Sequence, residues 1–541
     1  MQLRANVKYL LACIIMLLLA FIQCYRTVHG LNWASEPDFD RDIAYIHSTL
    51  TGHYGQDPNM AGQYMWYNPM IFLSETFIVK LTGLPINLVV ARSGAFLNLI
   101  NPIIFFIVLV KLFDYKVALA GLLSFIFLIN GNLPCWGAAT YSPWMVSDTA
   151  VQFLFYLSIF FCFKAFSEQK IIWFIILGAA IGITFLGHSA PVFIMILILV
   201  SIQGQKIFVA LKQKQYPLIG TYFLQGLATA VPFIICAFPF LYYVYGKYHL
   251  HFINRVILQC APGVFARKET LNLLKLNITF SLLISILGFI WFYLKFENKV
   301  LRKIIWNWLI ITLVMYVYES AVPTADKMLH INLPDTIPAF HYFFYFKALQ
   351  SIFVGFGLIF LFNLLIAWIT KLAKKEITPK LSNNLFIAAI LLYMLVYYPI
   401  YSNRWDFTDL RQEAIDKGNE KDKIGVYDFI TKNVPSDNVL LCEHGLSLFP
   451  VMPTAVKMVS IETYFSNPYV SYDQRESDRV EMLKDLTTTA PDTSKKLFSA
   501  YKVGDVLLSN ADFAKYKQPS FASSNVIYKN SSFTILSFNI K

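Results

Sequence analysis

The chain has 541 residues, of which 57% are hydrophobic and only 14% charged, with a mean hydropathy of +0.53. A soluble domain carries about 25% charged residues, so a soluble globular protein, a disordered tail protein and a disulfide-stapled secreted domain are all excluded. The net charge of +12 comes from residues 1–401, with 28 Lys/Arg against 15 Asp/Glu, because residues 402–541 hold 17 against 18. That excess lies in short loops between apolar runs, where it sets topology and attracts anionic lipid; no nucleic-acid partner is implied.

A spanning helix needs about 20 mostly apolar residues. Eleven runs are read as spans: 8–25, 86–110, 117–133, 146–163, 171–187, 189–204, 218–245, 276–294, 304–320, 342–370 and 383–401. The first follows Arg4 and Lys8 and resembles a signal peptide, but it lacks a small-x-small cleavage site and reads as an uncleaved anchor. With the N-terminus inside, six short connections on the cytoplasmic side hold 17 Lys/Arg and the opposite loops hold nine. The first loop (26–85) and residues 402–541 then share the periplasmic or extracytoplasmic side of what is expected to be a bacterial inner membrane.

Residues 402–541 have an ordinary soluble composition. Their pattern predicts a helix at Lys421–Asn433, strands at Asn438–Cys442 and Ala455–Ile461, and helices at Asp473–Leu486 and Ser494–Tyr501. A strand at Val503–Leu508 and a hairpin across Lys529–Ser532 follow, making a small α/β domain. The expected fold is therefore an α-helical polytopic membrane domain of about 11 transmembrane helices (1–401) with a C-terminal soluble α/β domain (402–541). The seven cysteines show no metal-ligand spacing, and most lie in apolar runs as small buried hydrophobes; a Cys135–Cys260 pairing outside the membrane is the alternative for that pair.

Four of the 15 acids before residue 402 fall within seven positions, Glu36, Asp38, Asp40 and Asp42, in S-E-P-D-F-D-R-D-I-A-Y. Carboxylates close to anionic headgroups suggest a catalytic base or a cation site. They also suit a helix N-terminus, with Pro37 at an early position and acids at the positive dipole end. Further along the loop, Tyr64, Trp66 and Tyr67 read as interfacial anchors or site residues. Asn68-Pro69 breaks the chain before an amphipathic helix at Ile71–Leu81. The turn at 133–144, L-P-C-W-G-A-A-T-Y-S-P-W, adds a second aromatic rim.

This pattern resembles the GT-C superfamily of integral-membrane glycosyltransferases, in particular the lipid A aminoarabinose transferases and protein O-mannosyltransferases. Those carry a P-D-E-x-R-Y or related motif just after the first span. Pro37-Asp38-Phe39-Asp40-Arg41-Asp42 aligns with it without a gap, with Asp38 on the family's catalytic acid, Arg41 on its arginine, and Phe39 where the family has Glu. Asp40 stands as the substitute for that Glu, so the resemblance leaves the base shared between Asp38 and Asp40. Tyr67-Asn68-Pro69 is similar to the family's K-P-P turn. In the tail, Val426-Tyr427-Asp428-Phe429-Ile430, Pro435-Ser436-Asp437-Asn438-Val439-Leu440 and Ser466-Asn467-Pro468-Tyr469 with Arg475 resemble the outer domain of bacterial members.

The resemblance implies transfer of a sugar from a polyprenyl-phosphate donor to a lipid, glycan or protein acceptor by inverting displacement. It agrees with the absence of a nucleotide-binding motif from the sequence. Asp38 is the expected base, with Arg41 orienting it or binding the acceptor. The departing phosphate needs cationic or hydrogen-bonding partners, for which His341 and Lys347 in P-A-F-H-Y-F-F-Y-F-K are candidates; the other readings are an interfacial histidine and a snorkelling lysine. Arg255, Arg267 and Lys268 are a further basic group. Arg475 faces substrate or makes a helix-start salt bridge, and Arg92 pairs with Glu75 or lines a cavity. No metal site is read from the sequence, since Y-H-L-H at 248–251 lacks a third ligand, although a divalent cation could assist. The rival readings are a secondary transporter or flippase, disfavoured by the absence of a repeat, and a lipid-glycan ligase or polymerase.

Overall fold

The computed structural model describes residues 2–35, 37–128, 140–254, 271–330, 337–487 and 494–540. Glu36, the Cys135–Cys260 pairing, residues 133–139 of the aromatic turn, and Arg255, Arg267 and Lys268 lie outside the described residues. Among the described residues, eight helices are long and apolar enough to cross a membrane: Asn6–Val28, Ile86–Leu112, Ser147–Glu168, Ser189–Lys212, Tyr216–Lys247, Lys299–Val322, Phe340–Ala373 and Pro379–Ser402. Three shorter apolar helices, Tyr115–Leu128, Ile171–Gly187 and Phe280–Lys295, occupy the remaining places where spans are expected. The chain is an integral membrane protein on this evidence.

Two compact units emerge. One, the membrane unit, comprises Met1–His29, Arg92–Phe238 and Gly263–Asp409; the other, the loop–tail unit, comprises Gly30–Ala91, Pro239–Pro262 and Leu410–Lys541. The first loop thus folds with the tail, and the tail's share of that unit starts at Leu410.

In the membrane unit, helices Phe280–Lys295 and Phe340–Ala373 meet through glycines. A Cβ added at Gly288 would stand 1.7 Å from the Phe353 carbonyl oxygen, and one at Gly357 would stand 2.2 Å from that of Ile284. Small residues let backbones approach in lipid, where packing rather than hydrophobic exclusion drives association. Gly288→Leu is expected to separate the pair and to cost about 1–3 kcal/mol or more, read as a lower melting temperature of the detergent-purified protein. The loop at Thr140–Met145 is fastened to the chain just past the last span. Arg404 donates to the Tyr141 carbonyl (3.0 Å), Ser142 Oγ to Asp406 Oδ2 (2.9 Å) and Trp144 Nε1 to the Asp406 carbonyl (2.7 Å).

In the loop–tail unit, five strands, β1 (Val439–Cys442), β2 (Lys457–Met458), β3 (Val503–Ser509), β4 (Ala522–Lys529) and β5 (Phe533–Ile540), form one sheet in the order β2-β1-β3-β5-β4. The first three are parallel, and the β4–β5 hairpin adds antiparallel to β3. Side chains alternate across the sheet. Leu440, Cys442, Leu507 and Ile535 pack with Val426 and Ile430 of helix Lys421–Asn433 on one face. Leu441, Val506, Leu508 and Leu536 pack with Met482 and Phe498 of helices Tyr472–Thr487 and Lys495–Tyr501 on the other. Two first-loop residues, Ala44 and Met60, belong to the first of these cores.

The expected elements of the tail appear with two differences. Of the strand expected over Ala455–Ile461 only two residues pair, because the whole segment is buried irregular chain whose apolar run imitates a strand. Helix Asp409–Asn419 was not expected; its buried positions Leu410, Ala414 and Lys417 make an i, i+4, i+7 stripe interrupted by a charge.

Candidate functional site

Helix Pro37–Leu50 presents its acids in three different environments. Asp40 is 1% exposed, and Lys417 Nζ donates to both of its oxygens at 2.7 Å. The lysine also lies 4.7 Å from the centre of the Phe449 ring. Burial pushes the Asp40 carboxyl up and Lys417 pulls it back. Asp42 is equally buried and accepts from Arg41 Nε and Nη2 at 3.1 Å. Burial raises its pKa to about 6, Arg41 opposing and Asp38 assisting. Asp38 differs: its side chain is 40% exposed, and its Oδ1 accepts from Arg41 Nη1 at 2.5 Å.

Arg41 is itself buried and fixed. Its guanidinium carbon lies 3.5 Å from the centre of the Tyr67 ring, a stacked geometry only Arg supplies. The cation is therefore shared between a buried carboxylate that holds it and a half-exposed one that it orients. Asn68 lies half-buried where Pro69 caps helix Met70–Thr82. Glu75 is fully buried on that helix.

The turn at Asp57–Met60, between helices Pro37–Leu50 and Met70–Thr82, is tied to the tail sequence. Asp57 accepts from the backbone N–H groups of Asn59 and Met60 and from Asn467 Nδ2 (2.9 Å). Lys457 Nζ donates to the Asp57 and Pro58 carbonyls at 2.7 and 3.0 Å. The S-N-P-Y segment thus clamps the first loop, and Tyr469 stacks on Tyr248 with centroids 4.2 Å apart. Arg475 donates to the Val459 carbonyl (3.0 Å) and lies over Tyr501. His47 Nε2 sits 3.1 Å from the Tyr427 hydroxyl, and burial lowers its pKa to about 4. The folded state prefers the neutral ring, so this contribution is complete above about pH 6.5 and is lost as pH falls towards 4. Wild-type melting temperature should drop over that window, and His47→Gln should flatten the drop.

The membrane unit holds the expected His341 and Lys347. Lys347 is 2% exposed, and its Nζ donates to Asn277 Oδ1 at 2.5 Å. Asn277 opens a formal glycosylation sequon, N-I-T, but is itself buried. Asn530, in the other sequon, spends its amide on the Asp422 carbonyl and the Tyr528 hydroxyl. His341, second in helix Phe340–Ala373, places Nδ1 2.5 Å from Asp148 Oδ1, and His188 Nε2 lies 3.1 Å from the same oxygen. Asn101 steadies the start of the Asp148 helix, donating to the Thr149 carbonyl (2.6 Å) and accepting from Phe153 N–H (3.0 Å). Asp148 and His188 were missed in the sequence, although an acid at the head of an apolar run is itself a functional signal.

Asp148, His188 and His341 are metal-ligating residue types whose ligand atoms lie within 4.8 Å of one another. A metal-bound imidazole ordinarily donates through its second nitrogen. His188 does the reverse, since its Nδ1 accepts the Ala190 N–H at 3.1 Å as a helix cap. Burial lowers its pKa to about 4, so the ring is neutral at pH 7 and its single hydrogen is on Nε2. That nitrogen offers Asp148 a hydrogen and has no lone pair for a cation. The trio fits a hydrogen-bonded cluster and does not fit a metal.

No protein-family model and no curated protein matches the sequence. Solved structures do match it. ArnT from Cupriavidus metallidurans bound to undecaprenyl phosphate aligns over 97% of each chain with a TM-score of 0.55 at 11% identity. The apo oligosaccharyltransferase of Archaeoglobus fulgidus aligns over 98% of this chain and 74% of its own, with a TM-score of 0.55 at 12% identity. The same enzyme tethered to an acceptor peptide containing the NVT sequon aligns over 93% and 69%, with a TM-score of 0.53 at 12% identity. Apolar helices in the expected places, a small C-terminal sheet domain and these long alignments give the chain the fold that these solved membrane proteins share.

Proposed function

We propose that the protein is a membrane glycosyltransferase that moves a sugar from a polyprenyl-phosphate donor to an extracytoplasmic acceptor by inverting displacement. The observation that carries this reading is the contrast among the first-loop acids. Asp40 and Asp42 are buried on Lys417 and Arg41, whereas Asp38 is half-exposed and oriented by a cation that Tyr67 and Asp42 hold still. A base must be accessible and aimed, and Asp38 is the acid of this helix that combines the two. Asp38 takes the acceptor hydroxyl proton while the hydroxyl oxygen attacks the anomeric carbon; the bond to phosphate breaks with its electron pair on the phosphate.

Asp40 has a structural role in this reading. Tyr67, which stacks on Arg41, and Asn68 beside it in the first loop are proposed substrate contacts, and Lys347 and His341 are the proposed phosphate partners in the membrane unit. Arg475 is left out because its guanidinium is engaged by Val459 and Tyr501. The neighbours support the donor class, since one of them was solved with undecaprenyl phosphate.

The test is a mass-spectrometric profile of envelope glycans and polyprenyl-phosphate sugars in a gene deletion and in the deletion restored with the native protein. One glycan should lose a sugar while its lipid-linked donor accumulates, and restoration should reverse both. An unchanged profile would remove the transferase reading. For orientation, the Lys/Arg bias places the tail outside, and a reporter fused after Tyr401 that is active only in the cytoplasm would overturn that placement.

A further inference from the structure

Asp148 is 3% exposed, and among the described residues its ionisable partners are two imidazoles rather than a lysine or arginine. The hydrogen positions around it follow from one fixed point. Ala190 donates its N–H to His188 Nδ1, so His188 carries its hydrogen on Nε2 and donates it to Asp148 Oδ1. An ionised carboxylate only accepts, and one oxygen can accept twice. His341 Nδ1, on the same Oδ1, must then also carry a hydrogen. That leaves Nε2 as the nitrogen by which His341 can meet something else.

We propose that Asp148 and His188 are positioning residues that hold His341 with its hydrogen on Nδ1, so that His341 Nε2 is the contact for the phosphate of the lipid donor. The ligand clause rests on the transferase reading; the positioning clause stands without it. When the ring carries a second hydrogen, on Nε2, that N–H donates to an oxygen that gains negative charge as the sugar leaves. Among the described residues, the other titratable groups facing this corner are His188, whose ring centroid lies 4.7 Å away, and Tyr345 on the same helix, which interacts with Asp148. Glu319 from the preceding helix accepts the Ala339 N–H beside it.

The test is a nitrogen-15 and carbon-13 spectrum of the full-length protein, labelled at its nine histidines and reconstituted in lipid nanodiscs near pH 7. His188→Gln and His341→Gln assign the two rings by subtraction. His341 is expected to be protonated at Nδ1, in either the neutral or the doubly protonated ring, and His188 at Nε2 alone. Asp148→Asn should redistribute the His341 tautomers; if that variant does not fold, the wild-type spectrum already decides. A His341 ring bare at Nδ1, a His188 ring bare at Nε2, or loss of both signals at one equivalent of Mn²⁺ would overturn the positioning clause, the last in favour of a metal centre. Farnesyl phosphate should shift His341 Nε2 and leave His188 unmoved. A protein that restores its glycan in cells yet shows no such shift would overturn the ligand clause alone.

Discussion

Asp38→Asn is expected to slow sugar transfer by about 10²–10⁴-fold, the usual contribution of a positioned general base, with little change in melting temperature. Asparagine keeps the size of the side chain and can still face Arg41, but it cannot take a proton. Arg41 remains anchored by Asp42 and Tyr67, so the helix should not rearrange. The measurement is the rate at which the missing glycan reappears after induced expression of native or variant protein at matched levels. Full activity would sink the assignment. Arg41→Lys should give a smaller loss, because an ammonium cannot both stack on Tyr67 and reach two carboxylates with a rigid fork.

Lys417→Met should destabilise the loop–tail unit by about 3–5 kcal/mol, the usual result of stranding one partner of a buried ion pair. The carboxylate left behind is 1% exposed and has lost a cation that touched both its oxygens. Protonating Asp40 would relieve the burial, so its folded-state pKa should rise further. A raised carboxyl pKa gives stability that is present at low pH and lost as pH increases. The variant's deficit in melting temperature against the native protein should therefore be smaller near pH 4 than at pH 7. Asp40→Asn combined with Lys417→Met should recover part of the loss, since the paired removal leaves no buried charge without its counter-ion. If the single variant melts like the native protein at pH 7, Asp40 is not held as an anion.

The apolar runs and their order were legible, because spans are written in composition and helix Lys421–Asn433 in its periodicity. The acid cluster after the first span was legible as a cluster, since four carboxylates in seven positions stand out against so apolar a chain. What sequence could not divide was the labour within it. Asp40 is neutralised by a lysine 377 residues away, and no local pattern distinguishes it from Asp38. Asp148, His188 and His341 are likewise scattered at the ends of separate apolar runs and meet only in the fold. Lys417 was hidden for a related reason, as a charge at the third buried position of a helix breaks the stripe by which such helices are found.

The weave of Ala44, Met60 and the Asp57 turn into the tail's core sets an order of events during synthesis. The helix that carries Asp38 leaves the ribosome early, yet Lys417, Lys457 and Asn467, which neutralise and clamp its surroundings, come about 380–410 residues later. Contacts of such sequence separation form late. A chain interrupted just after the last span would therefore hold its membrane helices but leave Asp40 stranded and the Asp57 turn unclamped. Competence for chemistry would then be withheld until translation is finished, so that an incomplete chain is inert rather than errant.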